Sequence, residues 1–289
     1  MSEAEELYLA TARTGLAARA HGPPDGQPVL ALHGWLDNAA SFEPLAPLLA
    51  GIRLVALDLP GHGRSAHRPP GCPYHFVDYA DDVLDAADAL GWDRFTLLGH
   101  SLGGAIATLV AAARPGRVER LAMIEALGPL SEEPASLPAR LERAVQRSAP
   151  DTGRAPRPYD HIDDAVAARR RAGDLDAASA RLLVERATTT TAAGVHWCSD
   201  PRLRRPTAYR FTEDQVLAIL GAIRAPARVV IADDGLLPRD HPGVQRRLQA
   251  IAGLSVHHCS GHHHVHMSAP ARVAPALAHF LAGTEAPAG

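Results

Sequence analysis

The sequence predicts an α/β fold: a mostly parallel sheet with helices on both faces. Two observations predict it. Short apolar runs alternate with helical stretches through the first half, and the strand pattern returns after an interrupted middle segment. A chain of 289 residues, 46% apolar and 21% charged, can bury one sizeable core. The formal net charge is −3 with no long run of one sign, so nothing electrostatic points to nucleic acid or an anionic membrane as partner. A small-molecule substrate is expected instead.

Val29 to Leu32 is an apolar run ending at His33-Gly34, and Arg53 to Leu57 is another ending at Asp58. Bounded by turn residues, both read as buried central strands. Between them Phe42, Leu45, Leu48 and Leu49 recur at helical spacing and would cover one face of the sheet. From Phe76 to Leu90 the positions Phe76, Tyr79, Val83, Leu84, Ala87 and Leu90 follow the helical period, with Asp78, Asp81, Asp82 and Asp85 opposite. Gly91 ends that helix. Phe95 to Leu98 reads as a strand running into Gly99-His100-Ser101. Leu102 to Ala113, apolar almost all round, reads as a helix buried against the sheet, and Arg120 to Ile124 as a further strand.

Between about Gly128 and Pro206, prolines at 129, 134, 138, 150, 156 and 158 interrupt arginine-rich and alanine-rich helical pieces. This pattern predicts an inserted helical cap over 129–206, with 1–128 and 207–289 forming the core domain. Thr212 and Gln215 have capping-box spacing and open a helix through Leu220; Arg228 to Ile231 then restores the strand signal. Leu254 to Val256 is a last strand leading to a histidine cluster, and Pro270 to Leu281 a closing helix. Within the insertion, Leu175, Leu182, Leu183 and Trp197 fall at helical spacing and are expected to form its own core.

Cys72, Cys198 and Cys259 are far apart and lack the C-x-x-C spacing of zinc or redox sites, which suits a reducing compartment. The first residues carry Glu3, Glu5 and Glu6 where an export signal would be basic, and no run approaches the ~18 apolar residues of a membrane span. A cytoplasmic location is expected.

Gly99-His100-Ser101-Leu102-Gly103 matches G-x-S-x-G between a strand and a helix, the context that lifts a serine Oγ above a sheet edge. A hydroxyl is a poor nucleophile at neutral pH, so Ser101 needs a base and an acid oriented behind it. Gly261-His262-His263-His264-Val265-His266 follows the last strand and offers the base. Histidine-rich tracts also bind zinc or nickel, and His257 and His258 lie nearby; no carboxylate or cysteine pattern accompanies the tract, so no metal and no cofactor is assigned. The backbone N–H groups of Leu102, after the nucleophile, and of Trp35, in His33-Gly34-Trp35, are the candidate oxyanion donors.

The stretches His33 to Phe42, Asp58-Leu59-Pro60-Gly61-His62-Gly63-Arg64-Ser65, Pro73-Tyr74-His75-Phe76, the serine elbow, and His263-His264-Val265-His266-Met267 together resemble the α/β-hydrolase superfamily, in particular the serine hydrolase-like proteins. Thr188-Thr189-Thr190 and Asp200-Pro201-Arg202-Leu203 are similar to the same group. The resemblance implies an eight-stranded sheet, a helical cap over the site, and cofactor-free hydrolysis of an ester-like bond. It places the catalytic histidine seven residues before a proline, which from Pro270 is His263, with His262 next.

The acid departs from the family pattern. Gly235 stands where many members carry it, in Ala232-Asp233-Asp234-Gly235. Asp233 and Asp234 serve if that turn is shifted, and Glu125 serves if the acid has moved to the preceding strand; Glu125 is preferred. The expected function is a serine hydrolase of small apolar esters acting through an acyl-enzyme on Ser101. The alternatives are a catalytically impaired hydrolase-like binding module and a cofactor-free haloperoxidase. Serine at the elbow speaks against haloalkane dehalogenases and epoxide hydrolases, which use aspartate there.

Overall fold

The computed structural model describes residues 4–146, 157–173 and 175–285. Its strands, in chain order, are β1 (Glu5–Ala10), β2 (Gly15–His21), β3 (Gln27–Leu32), β4 (Ile52–Leu57), β5 (Phe95–His100), β6 (Val118–Ile124), β7 (Thr188–Thr191), β8 (Gly194–Trp197), β9 (Ala227–Asp234) and β10 (Ser255–His262). The helices are α1 (Asp78–Ala89), α2 (Leu102–Ala113), α3 (Leu137–Gln146), α4 (Ile162–Gly173), α5 (Ala177–Ala187), α6 (Glu213–Gly221), α7 (Pro242–Ala250), α8 (Val265–Ser268) and α9 (Pro270–Ala282). Eight strands form one sheet in the order β1-β2-β4-β3-β5-β6-β9-β10. The pairings β1–β2 and β2–β4 are antiparallel and the other five parallel.

The strands at the centre are apolar on both faces because each face is covered. On β3, Leu30 and Leu32 join Val83 of α1 and Ile106 of α2 in one core, while Val29 and Ala31 join Phe42 and Leu277 in the other. The two-residue alternation of a strand thus divides one apolar run between two layers. Helix α2 occupies the predicted span, Leu102–Ala113, with eight of its residues buried. Thr212 and Gln215 make the predicted capping box at the start of α6.

The stretch from Phe42 to Leu49 differs from its helical spacing. It forms two short 3-10 turns, Ala39–Phe42 and Ala46–Leu48. Pro44 and Pro47 lack the N–H that an α-helical ladder needs. Phe42, Leu45 and Leu49 still cover the sheet, whereas Leu48 is exposed.

Between β6 and α6 the chain builds α3, α4, α5 and the β7–β8 hairpin. Pro150 and Pro156 lie outside the described residues. Leu175, Leu183, Ala165, Val166 and Met267 bury one another in a third core, with Leu182 and Trp197 packed against it. All three cysteines are free thiols. Among the described residues, no helix is long and apolar enough to cross a membrane.

Candidate active site

The site lies at the C-terminal ends of three neighbouring parallel strands, β3, β5 and β6, where open α/β sheets bind ligands. In the turns that follow them, Leu36, Ser101 and Glu125 have φ of 61°, 51° and 50°. Left-handed backbone at a residue other than glycine costs roughly 1–3 kcal/mol and persists only where the surroundings hold it. Ser101 is held on both sides. Its N–H donates to the Ile124 carbonyl at 3.1 Å, and its own carbonyl accepts from Ala105 N–H at 3.0 Å as α2 begins. The glycines of the motif permit the approach: a Cβ on Gly99 would overlap the backbone of Gly104, and one on Gly103 the backbone of Leu32.

Glu125 directly follows β6, with its carboxylate buried. One oxygen, Oε1, accepts from Ala232 N–H at 2.7 Å, and Oε2 accepts from Leu236 N–H at 2.7 Å. His263 Nδ1 lies 3.2 Å from the same Oε2. The fold therefore joins Glu125 to His263 across 138 positions of sequence. Asp233 instead pairs with Arg239 and is exposed. Asp234, also exposed, ends β9 opposite His262 in the parallel register.

His263 is tied to the serine elbow through its main chain. His100 precedes Ser101, and its Nε2–H donates to the His263 carbonyl at 3.0 Å while the two rings pack 4.7 Å apart. Leu102 is the first residue of α2, so its N–H has no acceptor within the helix. The Trp35 side chain is half exposed and its Nε1–H donates to the Leu203 carbonyl at 3.3 Å.

Three polar residues at the site carried no role in the sequence reading. Asp37 is buried: its Oδ1 pairs with Arg169 of α4, and its Oδ2 lies 3.2 Å from His264 Nε2. Burial alone would raise the Asp37 carboxyl, but the His264 hydrogen bond and the Arg169 charge hold it well below the usual range. Burial, with three imidazoles nearby, keeps His100 well below an ordinary histidine. His33 is buried with Nδ1–H donating to Gly34 O at 2.7 Å and Nε2 accepting from Leu59 N–H at 3.0 Å, a fixed neutral tautomer that joins two loops. Asp37 lies within the stretch that carries the family resemblance; its partners come from far along the chain, which is why no local pattern revealed them.

The alpha/beta hydrolase fold family matches residues 27–175. A serine hydrolase-like protein of Danio rerio is 32% identical over 92% of this chain and 85% of its own length. Another, of Dictyostelium discoideum, is 38% identical over 74% of this chain, and the match spans 62% of that relative's length. Among solved structures, a hypothetical protein of Pseudomonas aeruginosa PAO1 is 42% identical with a TM-score of 0.90, covering 96% of this chain and 99% of that one. The thioesterase domain from the curacin biosynthetic pathway is 27% identical with a TM-score of 0.84, covering 95% of this chain and 98% of that one. Matching in sequence and in fold, the chain belongs to the alpha/beta hydrolase fold family.

Proposed function

We propose that this chain is a serine hydrolase that cleaves an ester-like bond of a small apolar substrate. The observation that carries this reading is the His263–Glu125 contact at 3.2 Å, on a loop anchored to the residue preceding Ser101. A carboxylate fixed by two backbone N–H groups orients the Nδ1–H tautomer and leaves Nε2 as a base. Ser101 Oγ attacks the carbonyl carbon as His263 Nε2 takes its proton. The alcohol departs carrying that proton and leaves an acyl-enzyme. Water then attacks through the same base, releasing the acid and restoring Ser101.

Leu102 N–H and Trp35 N–H are the proposed donors to the oxyanion, each contributing ~3 kcal/mol by general experience. Segment 129–206 acts as the cap. Its contacts with the core support this: Asn38 Nδ2–H donates to the Leu183 carbonyl at 2.8 Å, Arg169 pairs with Asp37, and Arg186 meets Asp58 at 3.0 Å.

A fluorophosphonate probe tests the reading. Its phosphorus is attacked by Oγ and fluoride leaves, so wild type gains one adduct on Ser101, Ser101→Ala gains none, and His263→Ala reacts far more slowly. Folded wild type that takes no label favours a non-catalytic binding module. Labelling followed by peroxyacid-dependent halogenation, with no ester turnover, favours a haloperoxidase.

A further inference from the structure

We propose that Asp37, His100 and His264 form a binding site for one divalent transition-metal ion of the zinc class, separate from the Ser101–His263–Glu125 arrangement. Asp37 comes from the loop after β3, His100 from the last position of β5, and His264 from the turn before α8. Their ligand atoms, one from each residue, all lie within 4.8 Å of one another. Asp37 Oδ2 is 3.2 Å from His264 Nε2 and 3.7 Å from His100 Nδ1. A tetrahedral zinc with bonds of about 2.0–2.1 Å separates neighbouring ligand atoms by roughly 3.4 Å, between these two values.

The hydrogen bonding around His100 points the same way. Its Nε2–H is committed to the His263 carbonyl. In the neutral ring Nδ1 is then a bare lone pair. That atom is buried, has no hydrogen-bond partner among the described residues, and faces the Asp37 carboxylate. Of these two acceptors only His100 Nδ1 lacks a donor, and a cation between them satisfies it while replacing the proton that His264 Nε2 shares with Asp37 Oδ2. Metal-bound histidines characteristically donate their other N–H to a carbonyl, and metal-bound carboxylates are themselves held by a donor. The first feature is present at His100, whereas His264 Nδ1 is buried without a hydrogen-bond partner among the described residues; the second is present as Arg169 on Asp37 Oδ1.

Gly34 borders the same space. A Cβ there would stand 2.8 Å from Asp37 Oδ2 and 3.0 Å from His100 Nδ1. Two histidines and one carboxylate form the donor set of open zinc sites, which leave one position for water or a ligand. The exposed His258 and His262 of β10 lie outside this set. The histidine tract itself holds no carboxylate; the fold supplies one from 227 positions upstream.

The test uses tag-free, full-length protein from cells grown with added zinc or cobalt, dialysed and analysed for metal. The expected result is about one zinc per chain, and for the cobalt form a tetrahedral visible spectrum of nitrogen and oxygen ligation. Asp37→Asn and His264→Gln each lower affinity at least ~10-fold, while His257→Ala/His258→Ala retains the ion. Gly34→Ala keeps all three ligands and also lowers affinity; it serves if the other variants do not fold. The proposal is overturned by folded wild type without stoichiometric metal, or by a metal that survives Asp37→Asn and His264→Gln. It is likewise overturned by binding lost only with His257 and His258. None of these readouts depends on hydrolysis.

Discussion

The Glu125 carboxylate fills the space beside Gly235, so that a Cβ on the glycine would overlap the carboxylate oxygens. Two neighbouring strand ends, those of β6 and β9, thus compete for one position beside His263 Nδ1. Here β6 supplies the carboxylate and β9 supplies the gap.

If Glu125 orients His263, then Glu125→Gln lowers kcat by roughly 10³–10⁴-fold with little change in KM, as loss of a triad acid does elsewhere. Asp233→Ala and Asp234→Ala leave kcat within about 3-fold, because both carboxylates are exposed and Asp233 pairs with Arg239. Steady-state kinetics on an aryl ester decides between them.

Gly235→Asp in the wild-type background forces a second carboxyl onto the first. It lowers stability by ~1–3 kcal/mol through overpacking alone. Combined with Glu125→Ala the clash is gone, and the new carboxylate recovers at least about 10-fold of the activity lost in Glu125→Ala alone. Urea unfolding and kinetics on the four proteins of this cycle would show strong non-additivity; simple additivity would place the two residues out of contact.

The Arg186–Asp58 pair links α5 to the loop after β4, with both side chains buried. Removing one partner strands the other charge, so Arg186→Ala is expected to cost about 3–5 kcal/mol in urea unfolding. Replacing both, as Arg186→Met with Asp58→Asn, costs less than the sum of the single changes.

His33 and His62 stack edge to face at 5.0 Å between the loops after β3 and β4. Burial lowers His33 to about 4 and, with His33 beside it, His62 to about 3. Both bind a proton more readily when unfolded. Their stabilisation is therefore complete above the ordinary histidine value of 6.5 and is lost as pH falls toward 4 and then 3. Each steepens the loss by up to about 1.4 kcal/mol per pH unit in that window. Unfolding free energies at pH 7, 6 and 5 should show this slope, and His33→Asn should reduce it.

What could be read beforehand follows the range of the interactions. The serine elbow is a local pattern, and its glycines are required by contacts within a few residues or with the adjoining strand. Helix α2 and the capping box of α6 are likewise local. Strand β10 is legible in sequence only at its start, because its burial alternates through His257, Cys259 and Gly261, which carry little hydrophobic signal. The edge strand β1 carries no strand signal in sequence, because exposed Glu5 and Glu6 mask it. Glu125 remained one of three carboxylates because its fit against Gly235 exists only after β6 and β9 pair. Asp37 gained partners only when β3, β5 and the loop after β10 converged.

The most direct measurement is an acid quench during turnover of an activated aryl ester, followed by peptide mass analysis. The acyl mass is expected on the peptide containing Ser101, accumulating further when Glu125→Gln or His263→Ala slows deacylation more than acylation. An unmodified Ser101 peptide throughout steady product release, with turnover undiminished in Ser101→Ala, would contradict it.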